Sequence, residues 1–365
     1  MFPNPQDALP LPSRPSLEQY RKLAKDLVKA CKAGTREIAA WADRWMASLL
    51  PDAGRPRIDR AAQQVAEFAT RMLTAGGQDR TCVLADAQFV LARAHGFTSW
   101  AVFAAHLDAL AQPGGGTQAA AFEAAAEAII RGDEAALVEL LRKHRDLIRA
   151  RSAREHNATL LHYVSANGVE GYRQKSPPNA ARITELLLEA GADVEAEADV
   201  YGGGCTALGL VATSTPPREA GVQIPVIQVL LDRGAQVEHP SLAGYGSDAV
   251  YACLANGCPE AARYLTERGA RFGIVGAAGI GRLDVVQQLA DAAEPPRREM
   301  ALRYAAGYGQ IDVVRYLLDR GVNVDGHHGD GKTALFYAKL GNHGEVVRLL
   351  LERGANPEVR PRPET

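Results

Sequence analysis

The side chains with the most chemistry gather between residues 156 and 206. Cys205 is a thiol that His156 or His162 would serve as base, a nucleophile–base arrangement if the groups came within hydrogen-bond reach. Against this, a lone cysteine ahead of a helix-starting threonine, here Thr206, is more often a small apolar residue. Tyr201-Gly202-Gly203-Gly204 precedes a helix start and would present backbone amides to an anion. It lacks the Lys-Ser/Thr of a phosphate loop, and glycines also suit a tight hairpin. Tyr163, Tyr172, Arg173 and Gln174 lie close by. The candidate ligand-binding set is therefore His156, His162, Tyr163, Tyr172, Arg173, Gln174, Tyr201, Cys205 and Thr206, with no catalytic residue assigned. Asp325-Gly326-His327-His328-Gly329-Asp330 invites a metal reading, but adjacent histidines usually diverge, and no zinc-type Cys/His spacing occurs. Gly276-Ala277-Ala278-Gly279-Ile280-Gly281 has no preceding strand to make it a dinucleotide fingerprint. Neither a metal nor a cofactor is expected.

Long loops carry these residues. The segment 169–179 stands where a tight turn would suffice, and 214–221 is inserted at an equivalent place. Between them, 197–206 is a longer and more glycine-rich hairpin than a helix pair needs. Such loops are functional or disordered more often than not. Their mixture of Tyr, Arg, Gln, Cys and His with glycine suits a recognition surface.

What must position the loops is a phrase that keeps returning. Leu186-Leu187-Leu188-Glu189-Ala190-Gly191-Ala192-Asp193-Val194 comes back as Leu230-Leu231-Asp232-Arg233-Gly234-Ala235, Tyr264-Leu265-Thr266-Glu267-Arg268-Gly269-Ala270, Leu317-Leu318-Asp319-Arg320-Gly321 and Leu350-Leu351-Glu352-Arg353-Gly354-Ala355. The glycines at 191, 234, 269, 321 and 354 are spaced by 43, 35, 52 and 33 residues. Self-similarity near a period of about 33 residues signals small helical repeats, each too small to bury its own apolar face. A second phrase leads each one in: Thr333-Ala334-Leu335-Phe336-Tyr337-Ala338 before Gly341, and Thr159-Leu160-Leu161-His162-Tyr163 before Gly168.

Together these phrases resemble the ankyrin repeat family over residues 120–358. The resemblance implies a stack of about seven units, each a turn, two antiparallel helices and a hairpin. It also implies protein recognition through the concave face of hairpins and first helices. His162 matches the family's histidine position, which bridges adjacent loops, so the resemblance assigns it to the scaffold. The glycines should end second helices in a left-handed conformation. Leu187, Leu188, Leu230, Leu231, Leu317, Leu318, Leu349 and Leu350 should pack between repeats. Truncating Leu188 or Leu318 to alanine should then cost about 2–5 kcal/mol, and Arg173→Ala or Tyr201→Ala much less.

A separate helical module precedes the array. Ser16 with Gln19 has capping-box spacing, and Leu17, Tyr20, Leu23, Ala24, Leu27 and Val28 recur at helical intervals up to Gly34. Trp41, Trp45, Leu49 and Leu50 mark a second helix, 61–73 a third and 84–95 a fourth. Gly96-Phe97-Thr98-Ser99-Trp100 then turns into a fifth, with Ser99 as N-cap. This turn and the early amphipathic helix resemble a leader module attached to many bacterial ankyrin proteins. The expected organisation is a tail at 1–13, the helical domain at 14–111, a glycine-rich linker at 112–119, the array at 120–358 and a tail at 359–365. The fold class is all-α, a solenoid of helix pairs behind a small helical domain.

Composition limits the function. With 41 basic and 43 acidic side chains there is no broad basic field for nucleic acid. No apolar run approaches the roughly 18–20 residues that span a bilayer, and the first residues lack the basic and apolar regions of a signal peptide. Five scattered cysteines suit a reducing cytoplasm better than a disulfide framework. The expected function is a cytoplasmic, non-enzymatic protein-binding array with no nucleic-acid or membrane partner. The alternative is a small-molecule or enzymatic pocket built from repeats two and three.

Overall fold

The computed structural model describes residues 2–12, 14–51, 53–74, 82–112, 116–238, 248–327 and 331–359. The chain forms two compact units, Met1–Leu210 and Val211–Thr365, here the N-terminal and C-terminal lobes. Both are built of helices, and the chain is all-α apart from one two-stranded ladder among the described residues.

The N-terminal lobe opens with five helices: α1 (Leu17–Ala33), α2 (Thr35–Leu49), α3 (Arg55–Thr74), α4 (Leu84–Ala94) and α5 (Trp100–Ala111). Ser16 caps α1 by accepting from the Gln19 amide at 3.5 Å, and Ser99 caps α5 by accepting from Val102 at 3.3 Å. The helix α3 starts at Arg55 rather than at 61, since Pro56 is well suited to a first helical turn. Tyr20, Leu27, Trp41, Trp45, Phe68, Leu91, Phe97 and Phe103 meet in one core.

Two features there depart from the sequence reading. Residues taken as a tail are packed: Phe2 and Leu9 are buried, Leu9 donates its amide to Ala94 O at 2.8 Å, and Arg71 Nη2 donates to Phe2 O at 2.7 Å. Burial of the apolar Phe2 and Leu9 side chains favours that packing. Cys31 and Cys82, read as free thiols, form a disulfide with a Cα–Cα distance of 6.2 Å. Their separation of 51 residues hid that the C-terminal turn of α1 lies beside the entry to α4. Of the glycine-rich linker, Pro113–Gly115 lie outside the described residues. Beyond them Thr117 caps the next helix and donates its hydroxyl to Ala109 O at 3.0 Å.

The same lobe continues with α6 (Gln118–Arg131) and α7 (Glu134–Lys143), the first helix pair. Repeat two replaces its first helix by a 3-10 turn, Leu160–Ser165, before α8 (Ala180–Glu189). Strands β1 (Glu197–Ala198) and β2 (Cys205–Thr206) pair antiparallel, with Ala198 opposite Cys205. Four consecutive positive φ values, from 52° at Tyr201 through 106°, 98° and 71° at Gly202 to Gly204, turn the chain between them. Glycine is used here because a side chain strains that conformation.

Helix α9 (Ala207–Ala212) contains the division between lobes. The insert 214–221, expected as loop, holds a short helix α10 (Thr215–Glu219) whose first turn accommodates Pro216. The C-terminal lobe then runs through α11 (Gln223–Asp232), α12 (Ala249–Ala255), α13 (Pro259–Glu267), α14 (Ile274–Ile280), α15 (Leu283–Leu289), α16 (Pro295–Gly307), α17 (Ile311–Asp319), α18 (Ala334–Leu340) and α19 (Gly344–Glu352).

The recurrent phrase has one physical cause. Helices α8, α11, α13, α17 and α19 each stop two residues before Gly191, Gly234, Gly269, Gly321 or Gly354. In each, the residue after the glycine reaches back: Ala192 to Leu187 O, Ala235 to Leu230 O, Ala270 to Leu265 O, Val322 to Leu317 O and Ala355 to Leu350 O. That backward bond satisfies an orphan carbonyl and requires the glycine to be left-handed. It also fixes which leucine faces inward. Leu187 and Leu317 are fully buried, whereas Leu188 and Leu318, expected as core, are only half-buried.

Candidate functional site

The insert of repeat two does not hang from the surface. Its short turn Gly171–Arg173 is drawn into the N-terminal lobe by buried charge. Glu170 is the sole acid of 169–179 and has no exposed surface. Its Oε1 lies 3.1 Å from Arg154 Nε, 3.5 Å from Arg173 Nη1, 3.4 Å from the Tyr163 hydroxyl and 3.5 Å from His156 Nε2. A second carboxylate, Glu123 of α6, takes Arg154 Nη1 at 2.5 Å and Arg173 Nη2 at 2.6 Å, with His106 Nε2 of α5 at 3.4 Å. Arg154 Nη2 also reaches the Tyr172 hydroxyl at 3.4 Å. Arg173 lies over the rings of Tyr163 and Tyr172, and Arg154 over Phe97. Two acids and two guanidiniums thus form a neutral knot tying α5, α6, the turn at 151–159 and the insert together.

Electrostatics hold the carboxylates, guanidiniums and phenols of the knot each in one protonation state. Burial alone would raise Glu170, but Arg154 overcomes it, with His156 and Arg173 adding, and the carboxyl ends at about 2. Burial likewise opposes ionisation of Glu123, and Arg154 and Arg173 still hold it well below the usual carboxylate range. Burial pushes the Tyr172 phenol up to about 12 and Tyr163 further, so neither supplies a phenolate. His156 Nδ1 accepts from the Ala158 amide at 3.1 Å, which puts the ring proton on Nε2, facing Glu170. Such a set holds a shape: its carboxylates stay ionised and its phenols stay protonated near neutrality.

The remaining candidates lie elsewhere. Thr159 donates its amide to His162 Nδ1 at 3.1 Å, so Nε2 carries the proton and donates to the carbonyl of Cys205 at 3.2 Å. This ties repeat two to the β1–β2 hairpin and leaves the sulfur alone. The Cys205 thiol donates to Val200 O at 3.2 Å, and burial raises it to about 11. Burial also lowers His162 to about 4. Neither state serves nucleophilic attack at neutral pH. Thr206 accepts from the Gly209 amide at 3.2 Å, as a helix-starting hydroxyl should. Tyr201 is 49% exposed on the hairpin and donates to Asn167 Oδ1 at 2.7 Å, while Gln174 donates to Val169 O at 2.8 Å within the insert. The Gly203 amide is spent on Val200 O. At the other motif, Asp325 accepts the Asn356 amide at 3.0 Å; His328, Gly329 and Asp330 lie outside the described residues.

The structure therefore brings His156, Tyr163, Tyr172 and Arg173 together, and leaves His162 bonded from its 3-10 turn to the hairpin that holds Cys205 and Thr206, with Tyr201 on the surface and Gln174 bonded within its own loop. Sequence reasoning missed Glu123, Arg154, Glu170 and His106. The one available signal was Glu170 itself, an acid next to apolar Val169 in a loop otherwise carrying cations.

Residues 274–361 match the family model described as ankyrin repeats in three copies, so this part of the chain is built of ankyrin repeats. The crystal structure of the human ASB11 ankyrin repeat domain aligns at 21% identity, over 65% of this chain and 98% of its own, with a TM-score of 0.38. A search of curated proteins finds no match. The repeats make this a protein-interaction domain, and no helix among the described residues is long and apolar enough to cross a membrane.

Proposed function

We propose that the chain recognises a protein partner through the hairpins and first helices of its repeats, and works as a binding scaffold. One observation carries this reading. The chemistry-bearing side chains of the irregular repeats are turned inward and used on one another, so these repeats offer their surroundings hairpin surface and no reactive group. Glu170, His156 and His162 have no exposure at all, whereas Tyr201 on the hairpin and Leu340 at the end of α18 are 49% and 71% exposed. An exposed tyrosine is a common anchor of protein interfaces.

Photo-crosslinking tests the proposal. A benzophenone side chain is placed at Tyr201 or Leu340, and as controls at Val138 or Leu351, which are exposed on second helices. Discrete protein adducts should form from the first pair and not from the controls. Equal adducts at all four positions, or none at Tyr201 and Leu340, would overturn it.

A further inference from the structure

The C-terminal lobe contains an arginine in a state the other buried arginines avoid. Arg303 of α16 is 6% exposed; its Nε lacks a hydrogen-bond partner, as Nε of Arg154 and Arg173 also does, but unlike theirs its guanidinium enters none of the ion pairs or cation–π contacts among the described residues. Arg154 and Arg173, buried to the same degree, each hold two carboxylates. An uncompensated buried guanidinium is costly, so folded proteins pair such a group or bring an anion to it.

Arg303 lines a groove of about 280 Å³ with Leu254, Gly257, Tyr304, Tyr308, Tyr337 and Leu340 among its walls. No aspartate or glutamate lines it. The tyrosine at 308 is fixed by donating its hydroxyl to Leu254 O. A second cation stands at the edge, where Arg218 donates Nη1 to the Gly257 carbonyl while its other nitrogen lies 3.5 Å from exposed Glu219. Leu340 at the rim is the most exposed large apolar side chain among the described residues. The groove is thus cationic at its wall, aromatic along its sides and apolar at its lip, with room for one or two side chains.

We infer that this groove binds an acidic peptide segment of a protein partner, an Asp or Glu carboxylate pairing with Arg303 and a neighbouring apolar side chain covering Leu340. Arginine is suited to this because its fork matches a carboxylate with two parallel hydrogen bonds. Charge complementarity selects the occupant: a basic segment would meet Arg303 and Arg218, and a wholly apolar one would leave the guanidinium buried and unpaired. The inference rests on the protein-binding reading above and narrows it to a partner chemistry.

A phage-displayed library of random linear peptides, selected on the full chain, provides the test. Selected peptides should be enriched in Asp or Glu beside an apolar residue. By fluorescence anisotropy, a labelled peptide from that pool should lose about tenfold or more in affinity on Arg303→Met, on Leu340→Glu, or when its own acids become amides. Leu340→Lys should bind it as tightly as the parent or tighter. The Leu340 pair alters an exposed residue, so it decides the matter even if Arg303→Met folds poorly. Peptides without acidic enrichment that ignore both Arg303→Met and Leu340→Glu would overturn the groove assignment and leave partner binding intact. A selection that yields no peptide overturns the groove assignment too. Acidic peptides that bind in a chain giving no cross-linked partner would instead remove the wider reading.

Discussion

Replacing Arg173 tests whether the insert of repeat two is held by charge. Truncation to alanine removes the 2.6 Å contact with Glu123 and the cation over Tyr163 and Tyr172, leaving Arg154 alone against fully buried Glu170 and mostly buried Glu123. Breaking a buried pair from one side costs about 3–5 kcal/mol, because the surviving charge stays desolvated and unpaired. That matches or exceeds truncation of a buried leucine, the reverse of what the sequence suggested. A double change, Arg173→Met with Glu123→Gln, removes one charge of each sign and should restore most of the loss. All three tryptophans, Trp41, Trp45 and Trp100, belong to the N-terminal lobe. Tryptophan fluorescence during urea unfolding at neutral pH therefore reports that lobe, even if the chain does not unfold as one unit. A loss below about 1 kcal/mol for Arg173→Ala would refute the argument, since that is what an exposed ion pair costs. Failure of the double variant to recover would mean that Arg173 acts through packing.

Three further outcomes follow from the same structure. His95 and His162 are held by burial at about 3 and about 4, below their ordinary 6.5, so the unfolded chain binds their protons first. Their stabilisation is complete above about pH 6.5 and drains away below it, by about 2 kcal/mol each at pH 5, with the Glu170 share lost between about pH 4.5 and 2. An unfolding midpoint that stays flat from about pH 7 to 5 would contradict this. Leu187→Ala should cost about 2–5 kcal/mol and Leu188→Ala distinctly less in the same urea assay, and Leu317→Ala and Leu318→Ala should differ likewise when helix content is followed by circular dichroism, which also reports the C-terminal lobe. Equal losses would mean that the backward bond does not set the inward leucine. Reduction of Cys31–Cys82 opens a loop of 51 residues and should destabilise the N-terminal lobe by about 4 kcal/mol on the loop-entropy model. Alkylation with mass spectrometry should find both cysteines blocked before reduction, and free thiols at either would remove the bridge.

The sequence revealed the repeats because their signal is local. A glycine two residues past a helix end, a leucine four residues ahead of it and a threonine at the next helix start are decided within one turn of chain. For that reason α8, α11, α13, α17 and α19 end where the phrase places them. The site residues were half legible. Types and loop lengths singled out His156, Tyr163, Tyr172 and Arg173, but their partners Glu123 and Arg154 come from a helix and a turn with no periodic relation to the insert. Charged side chains are so rarely fully buried that Arg173 reads as surface until its two carboxylates are seen. The disulfide was hidden for a similar reason, since its two cysteines are joined only by the packing of α1 and α4.

The arginines differ in what their own chain offers them. Arg151 spends Nη1 on the carbonyls of Asn157 and Glu197, tying repeat two to the next hairpin. Arg154 and Arg173 are neutralised inside the N-terminal lobe and hold an irregular loop in one shape. Arg303 is as buried as they are and has been given nothing by its own chain. Regular repeats explain why α16 stands where it does, with Tyr304 and Tyr308 both lining the groove, but nothing in repeat packing calls for a cation at 303; leucine or methionine would fill the site at lower cost. A scaffold that balances its buried charges so closely in one lobe and leaves one open in the other is arranged for a carboxylate that arrives from outside. Arg303→Met should therefore raise the stability of the free chain while weakening the acidic peptide, a trade of stability for binding that a merely structural arginine would not show.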